Sequence, residues 1–297
     1  MRVLGRRLEG LYNQVRLLAL KNTASWKMID GKFEMVLCRR DMMDQAFYLG
    51  TYDRCLVYLV ENVVKKEDTC IDIGAHTGYV TLQLASQVGG KGQVLSFEPD
   101  PRSRGILAQN CSRNGFSNVR IYGFAVGAVS GYCDLKLSSQ LGWSTLFPNE
   151  VAGETVVSEV RVPIYSIDQL RERGMMKLDL DRLSFMKIDC EGAEPFVLEG
   201  MRNMLRLSSP LIWIEVNKGS LRAAGSSASA VVGTLLELGF GVFSPKFHRN
   251  MLRSPQLTLR ETGMDGEESL AACSDIIALK HDAVGRLTGG DVGVIWS

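Results

Sequence analysis

The chain has 297 residues, 45% of them hydrophobic, and a formal net charge of +1, enough for one large α/β core with appendages and without the basic excess of a nucleic-acid binder. Seven cysteines, odd in number and never spaced C-x-x-C, count against a disulfide framework or a zinc site and fit a reduced, cytoplasmic protein. The longest apolar run near the N-terminus, Leu17 to Leu20, is too short for a signal-peptide core, and no stretch approaches the ~20 residues that span a bilayer.

Residues 1–21 place Leu4, Leu8, Leu11, Val15 and Leu18 on one helical face, with Arg2, Arg6, Arg7 and Arg16 on the others. Packing on the main domain is the first expectation for this helix; a weak peripheral contact with an anionic membrane, or a dimer contact, is the alternative. Residues 26–29 and 32–37 flank Asp30-Gly31, a two-residue hairpin signal. The hairpin should cover a sheet edge or one side of a ligand pocket. Residues 1–48 then form an extension ahead of a main domain at 49–297. The sequence fixes no oligomeric state.

A helix over residues 53–63 leads into the stretch around which the domain is organised, residues 69–100. It reads as a buried strand, a turn Gly74-Ala75-His76-Thr77-Gly78, a helix, and a second strand delivering Glu98-Pro99. Small residues in the turn let a ligand approach the backbone. An acid about 20 residues further on stands where such folds bind ribose hydroxyls. A dinucleotide fingerprint needs a second glycine where this chain has His76, so a phosphate-free ligand with a ribose and an adenine fits better, S-adenosylmethionine being the common one.

Residues 102–114 form a helix closed by Asn114-Gly115, and 119–124 a third strand, which makes the order strand, helix, strand, helix, strand of a parallel sheet. A strand at 132–137 precedes a long polar connection, 138–159, in which Trp143 is a candidate substrate contact. The strand at 160–164 contains Pro163 and should lie at a sheet edge. A short helix starts at Ser166, and a core strand at 183–188 runs into Asp189-Cys190-Glu191-Gly192-Ala193-Glu194. One helix is expected over 195–205, a buried strand with Glu215 and then Asn217 over 211–216, a helix over 228–238, and closing strands at 240–243 and 275–279. Between the last two, residues 246–272 read as a polar loop carrying His248, Arg249 and Arg253, candidates to meet a phosphate or carboxylate on the substrate.

Ligands in open α/β sheets bind beyond the carboxyl ends of the strands. Asp72, Glu98, Asp189 and Glu215 each stand at or near such an end, with Asn217, Glu191 and Glu194 just after. That clustering favours a site over solvated strand caps.

These segments resemble the FkbM-family methyltransferases, within the class I S-adenosylmethionine-dependent fold. The resemblance rests on Ile71-Asp72-Ile73-Gly74-Ala75-His76-Thr77-Gly78, on Phe97-Glu98-Pro99, on the more specific Met186-Lys187-Ile188-Asp189-Cys190-Glu191-Gly192-Ala193-Glu194, and on residues 210–215. It covers roughly residues 49–216. It implies a Rossmann-like α/β fold, a mostly parallel seven-stranded sheet with helices on both faces and an antiparallel last strand. It also implies O-methylation of a sugar, lipid-linked glycan or secondary-metabolite hydroxyl. Carried over by position, Gly74, Ala75 and Gly78 would line the methionine part of the cofactor and Asp72 would anchor the turn. Glu98, with Pro99 beside it, would accept from the ribose hydroxyls, and Phe124 and Ala125 would lie near the adenine. His76 departs from the family, where Asn is frequent.

Methyl transfer needs an acceptor oxygen held in line, worth ~7–11 kcal/mol of barrier, and a base worth a further factor of roughly 10²–10⁴. Asp189 is the first candidate base, followed by Glu191, Glu215 and His76; holding the cofactor ammonium is the rival role of Asp189. Lys187, two residues earlier, faces the same side of the sheet and can pair with an acid. Asp189, Glu215 and Asn217 are alternatively a Mg²⁺ set, as hard oxygen donors. A nicotinamide-dependent oxidoreductase and a non-catalytic scaffold of the same fold are the competing functions.

Overall fold

The computed structural model describes residues 13–14, 16–147, 156–250, 253–262, 274–287 and 292–295; most of the expected N-terminal helix lies outside them. The hairpin forms from β1 (Ser25–Ile29) and β2 (Phe33–Leu37). Asp30 and Gly31 take φ of 48° and 69°, the left-handed pair that such a turn demands. Two helices follow, α1 (Met42–Leu49) capped by Asp41 and α2 (Arg54–Val63) capped by Asp53. The sequence reading had no element at α1.

The central sheet is built from β3 (Thr69–Ile73), β4 (Gln93–Phe97), β5 (Val119–Tyr122), β9 (Leu183–Ile188), β10 (Leu211–Glu215), β11 (Gly241–Asn250), β12 (Arg253–Glu261), β13 (Asp275–Leu279) and β14 (Val292–Ile295). Their order is β14-β12-β11-β13-β10-β9-β3-β4-β5. The five strands from β5 to β10 pair in parallel, and β13 is antiparallel to β10. Seven strands, β5 through β11, are those expected of a class I sheet. β12 and β14 extend it because residues 246–272 are not one loop. Leu257 and Leu259 are buried while Gln256 and Arg260 are exposed, a period of two that makes a strand within a polar stretch.

Helices α3 (Tyr79–Val88) and α4 (Pro101–Arg113) connect the first strands. Beyond β5, a small sheet of β6 (Ala125–Val126), β8 (Val156–Tyr165) and β7 (Gly131–Ser138) packs beside α5 (Ile167–Glu172). Here β8 is the middle strand, not an edge, but β6 pairs with it only at Ile164 and Tyr165, so Pro163 faces one partner strand, β7. The helix expected over 195–205 is two, α6 (Glu194–Glu199) and α7 (Arg202–Arg206). Gly200 breaks it: its backbone presses so close to Gly127 that a Cβ would lie 2.0 Å from the Gly127 carbonyl oxygen. The closing helices are α8 (Lys218–Ala223) and α9 (Ala228–Glu237).

Every residue of β3 and β9 is buried, as in a sheet covered on both faces. One face packs against the hairpin, α1, α2 and α3, so that Ile29, Phe33, Phe47 and Leu56 share a core with Leu84 and Phe185. The other packs α6, α7 and α9 on Ile73, Met186 and Ile214. Among the described residues no helix is long and apolar enough to cross a membrane.

Candidate active site

The turn after β3 is shaped by three left-handed residues, Gly74 (φ 78°), His76 (φ 51°) and Gly78 (φ 98°). Gly74 has no room for a side chain: a Cβ would stand 1.7 Å from the Asp189 carbonyl oxygen. The turn and the end of β9 are thus pressed together, with the Asp189 N–H donating to the Ile73 carbonyl at 3.1 Å. Glu98 ties the turn to the end of β4. Its Oε2 accepts from the His76 N–H at 2.7 Å and its Oε1 from the Asp100 N–H at 2.8 Å. Burial pushes Glu98 up to about 7, with those two N–H groups pulling the other way.

Asp72 is fully buried beneath the turn, where its Oδ2 accepts from the Thr81 hydroxyl at 2.6 Å. Lys187 reaches in from β9. Its Nζ donates to the Gly74 carbonyl at 3.1 Å and lies 2.9 Å from Asp189 Oδ2 and 3.9 Å from Asp72 Oδ1. Burial works against its charge, but Asp189 and Asp72 outweigh it and hold the ammonium protonated well above the ordinary lysine range. Lys187 is therefore a buried cation joining the turn to the acids, not a lysine extended to the rim.

A cavity of about 400 Å³ opens across these strand ends. Gly74, Ala75 and His76 line it from the turn, Glu98, Pro99 and Asp100 from β4, Phe124 and Ala125 from the third strand's exit. Trp143, Lys187, Asp189, Glu191, Glu215 and Asn217 complete the walls among the predicted residues. Gly78 and Asp72 support the turn without lining the cavity. His248 is exposed on β11 and also does not line it, and the side chain of Arg249 lies outside the described residues.

His76 faces the strap that carries Trp143: a Cβ at Gly142 would lie 3.0 Å from its Nε2. Burial pushes the imidazole down to about 4, so it is neutral at physiological pH, and its Nε2 has no hydrogen-bond partner among the described residues. The strap is fastened at both ends. Ser144 donates to Asp100 Oδ2 at 2.8 Å, and Thr145 donates to the Glu191 carbonyl at 3.0 Å.

Asp189, Glu191 and Glu215 bring one carboxylate oxygen each within 4.8 Å of one another. Burial, then repulsion from Asp189 and Glu191, pushes Glu215 up to about 10. Asn217 does not join them as a ligand. Its Oδ1 caps α8, accepting from the Gly219 and Ser220 N–H groups at 3.0 and 3.2 Å, because an Asn before a helix satisfies free backbone donors. The Mg²⁺ set expected from sequence therefore loses one member.

Sequence reasoning missed the contribution of the N-terminal segment. Met43 and Phe47 of α1 and Tyr52 before α2 line the cavity, and no motif or spacing marks them. It also missed Asp100, which caps α4 and binds Arg102 (Nη2 to Oδ2, 2.7 Å). Burial opposes its charge, but hydrogen bonds from Arg102 and Ser144 outweigh it and hold the carboxylate below its ordinary range. The Asp-Pro pair opening α4 was the available signal.

A mostly parallel sheet with a glycine turn after its first core strand, an acid after the second, and a cavity across both is a Rossmann-like fold of the class I methyltransferase type. The sequence model of the methyltransferase FkbM domain matches residues 72–242, more than half of the chain, and the chain belongs to that family. It is 25% identical over 145 residues to Methyltransferase 1 of Beauveria bassiana (strain ARSEF 2860), covering 44% of this chain and 57% of that protein. To Methyltransferase sdnD of Sordaria araneosa it is 25% identical over 164 residues, covering 44% and 59%. The chain thus spans less than two thirds of the length of these curated relatives. Among solved structures, it is similar to methyltransferase FkbM from Methylobacillus flagellatus KT (17% identity, 69% of this chain and 51% of that one, TM-score 0.41). It is also similar to an S-adenosylmethionine-dependent O-methyltransferase from Thermotoga maritima (14% identity, 77% and 65%, TM-score 0.40).

Proposed function

We propose that the chain is an S-adenosylmethionine-dependent O-methyltransferase acting on a hydroxyl of a small molecule such as a sugar, a glycolipid headgroup or a secondary metabolite. One observation carries this reading: a single cavity has the glycine turn and Glu98 on one wall and the ionisable cluster Lys187, Asp189, Glu191 and Glu215 on another. The residues fit the cofactor. Gly74 leaves bare backbone where a methionine chain would pass, each Glu98 oxygen keeps acceptor capacity for a ribose hydroxyl after binding one N–H, and Phe124 and Ala125 offer an apolar wall for an adenine. When bound, the cofactor supplies a methyl group on a positively charged sulfur.

The remaining work is positional. Lys187 fixes the Asp189 carboxylate at 2.9 Å, which leaves the other Asp189 oxygen to accept the acceptor's hydroxyl proton. Tying that carboxylate to a buried ammonium holds it in place and avoids its reorganisation on the way to the transition state. Neutral His76 offers an uncharged hydrogen bond to the acceptor. The family membership leaves the oxidoreductase alternative without support, since His76 occupies the place of the second fingerprint glycine.

The test is transfer of labelled methyl from S-adenosylmethionine to a panel of sugars, glycolipids and hydroxylated metabolites, with products assigned as O-methyl ethers by NMR and with a parallel arm in excess chelator. O-methyl products formed equally with chelator are expected. Loss of turnover restored by Mg²⁺ would assign Asp189, Glu191 and Glu215 to a cation, and tight cofactor binding with no transfer to any acceptor would make the chain a scaffold.

A further inference from the structure

Beside the cofactor cavity lies a second one of about 310 Å³, and Tyr52, Lys187, Asp189 and Glu215 are walls of both. Its other walls are Asp53, Trp213 and Asp275. Among the described residues Lys187 is the one cation on this lining, and it is already engaged by Asp189 at 2.9 Å. Asp53, Glu215 and Asp275 have no cationic partner within 4.0 Å among the described residues. Glu215 and Asp275 are directly opposed in the β10–β13 register, where two ionised carboxylates would repel each other.

Two unpartnered polar groups point the same way. The Tyr52 ring is clamped edge-on by Phe47 and Tyr79, at 4.9 and 5.4 Å between centroids. Tyr52 lines the second cavity with Lys187, Asp189, Asp53 and Glu215, and its hydroxyl makes no hydrogen bond to any described residue. Glu215 Oε2 is buried and likewise unpartnered. A ligand reaching both would supply the hydrogen bonds they lack.

We propose that this second cavity is the specificity pocket for the acceptor and takes its protonated amine, so that the substrate class is an amino alcohol, an amino sugar for instance, with its hydroxyl directed into the first cavity. This rests on the methyl-transfer reading given above. Asp53, Glu215 and Asp275 supply acceptor oxygens whose ionised forms an ammonium among them would favour, Tyr52 accepts one ammonium hydrogen, and the rings of Tyr52 and Trp213 stand in the same lining. Burial, with the neighbouring acids, pushes Asp53 up to about 7 and Glu215 up to about 10, as expected of carboxylates short of a counter-ion.

The test is calorimetry on the full chain saturated with S-adenosylhomocysteine. Each amino alcohol is paired with a neutral counterpart: glucosamine with glucose and N-acetylglucosamine, galactosamine with galactose, 2-aminocyclohexanol with cyclohexane-1,2-diol. At least one amine should bind tenfold or more tightly than its counterpart. Asp275→Asn and Asp53→Asn should each cut that preference at least fivefold, with S-adenosylhomocysteine affinity and melting temperature not lowered. No amine preference anywhere in the panel overturns the proposal, as does a preference that survives the double variant, or Mg²⁺ binding abolished by Asp275→Asn without amine binding. Failure of S-adenosylhomocysteine to bind would overturn the methyl-transfer reading itself, a separate signal from failure of the amine.

Discussion

At the scale of single residues, Glu98 connects the most. Its two oxygens hold the N–H groups of His76 and Asp100, so it shapes the wall proposed to take the cofactor as well as presenting acceptors to it. Glu98→Ala removes charge-assisted hydrogen bonds worth about 1.5–3 kcal/mol each. Affinity for S-adenosylhomocysteine should fall at least about tenfold by calorimetry, and unchanged binding would remove the ribose role. Glu98→Gln keeps one acceptor oxygen and should fall between the two. Residue identity was legible here because the chemistry demands a type at a spacing: a small residue where backbone must be bare, an acid at the next strand end. Tyr52 and Phe47 were not legible, since an aromatic before a helix or on its inner face has the same pattern whether it fills a core or lines a cavity.

At the scale of elements, the hairpin is joined to the glycine turn after β3 through α4. Asn110, fully buried, accepts from the Val36 N–H at 3.0 Å and donates to the Thr77 carbonyl at 2.8 Å. Asn114 likewise accepts from the Glu34 N–H at 2.8 Å and donates to the Glu34 carbonyl at 2.7 Å. Two side-chain amides thus take the place of a neighbouring strand along the outer edge of β2, which closes an edge otherwise open to pairing. The hairpin and α1 share a core with the central sheet, and α1 lines the cavity. Asn110→Ala leaves a half-buried N–H and a buried C=O unpaired, so stability should drop by about 1–3 kcal/mol in urea unfolding. S-adenosylhomocysteine affinity should drop as well, because Thr77 belongs to the turn. Asn114→Ala, which touches the hairpin and the Asn110 carbonyl but not the turn, should lower stability without that loss of affinity. The sheet was legible because buried parallel strands are short apolar runs bounded by glycine and acid. The β11–β12 hairpin was hidden because polar residues on its open face mask the period of two.

At the scale of the molecule, acids gather at one end of the sheet with few cations among them, and this fixes how stability responds to pH. Burial is the largest cause in each case: Asp44, Asp53 and Glu98 are pushed up to about 7 and Glu215 to about 10, from ordinary values of 3.8 for Asp and 4.5 for Glu. A carboxyl with a raised folded pKa keeps its proton in the folded chain after the unfolded chain has released it. Stability therefore falls as pH rises from about 4 through 7, and for Glu215 on toward 10, at about 1.4 kcal/mol per pH unit for each proton so retained. His76 works in the opposite direction: pushed down to about 4 from 6.5, it makes stability rise with pH between those values. Several carboxyls outweigh one imidazole, and above pH 6.5 His76 has no further effect. Lys187, held charged above its ordinary range, loses its contribution only at higher pH still, again with stability falling as pH rises. The expected result is a ligand-free protein whose melting temperature is higher at pH 5.5 than at pH 8 by at least about 3 °C. Asp53→Asn keeps an oxygen to cap α2 while removing one of the raised carboxyls, so it should flatten the slope and stabilise the chain at pH 8. A melting temperature that rises from pH 5.5 to 8 would show that these acids are matched by cations or solvated after all.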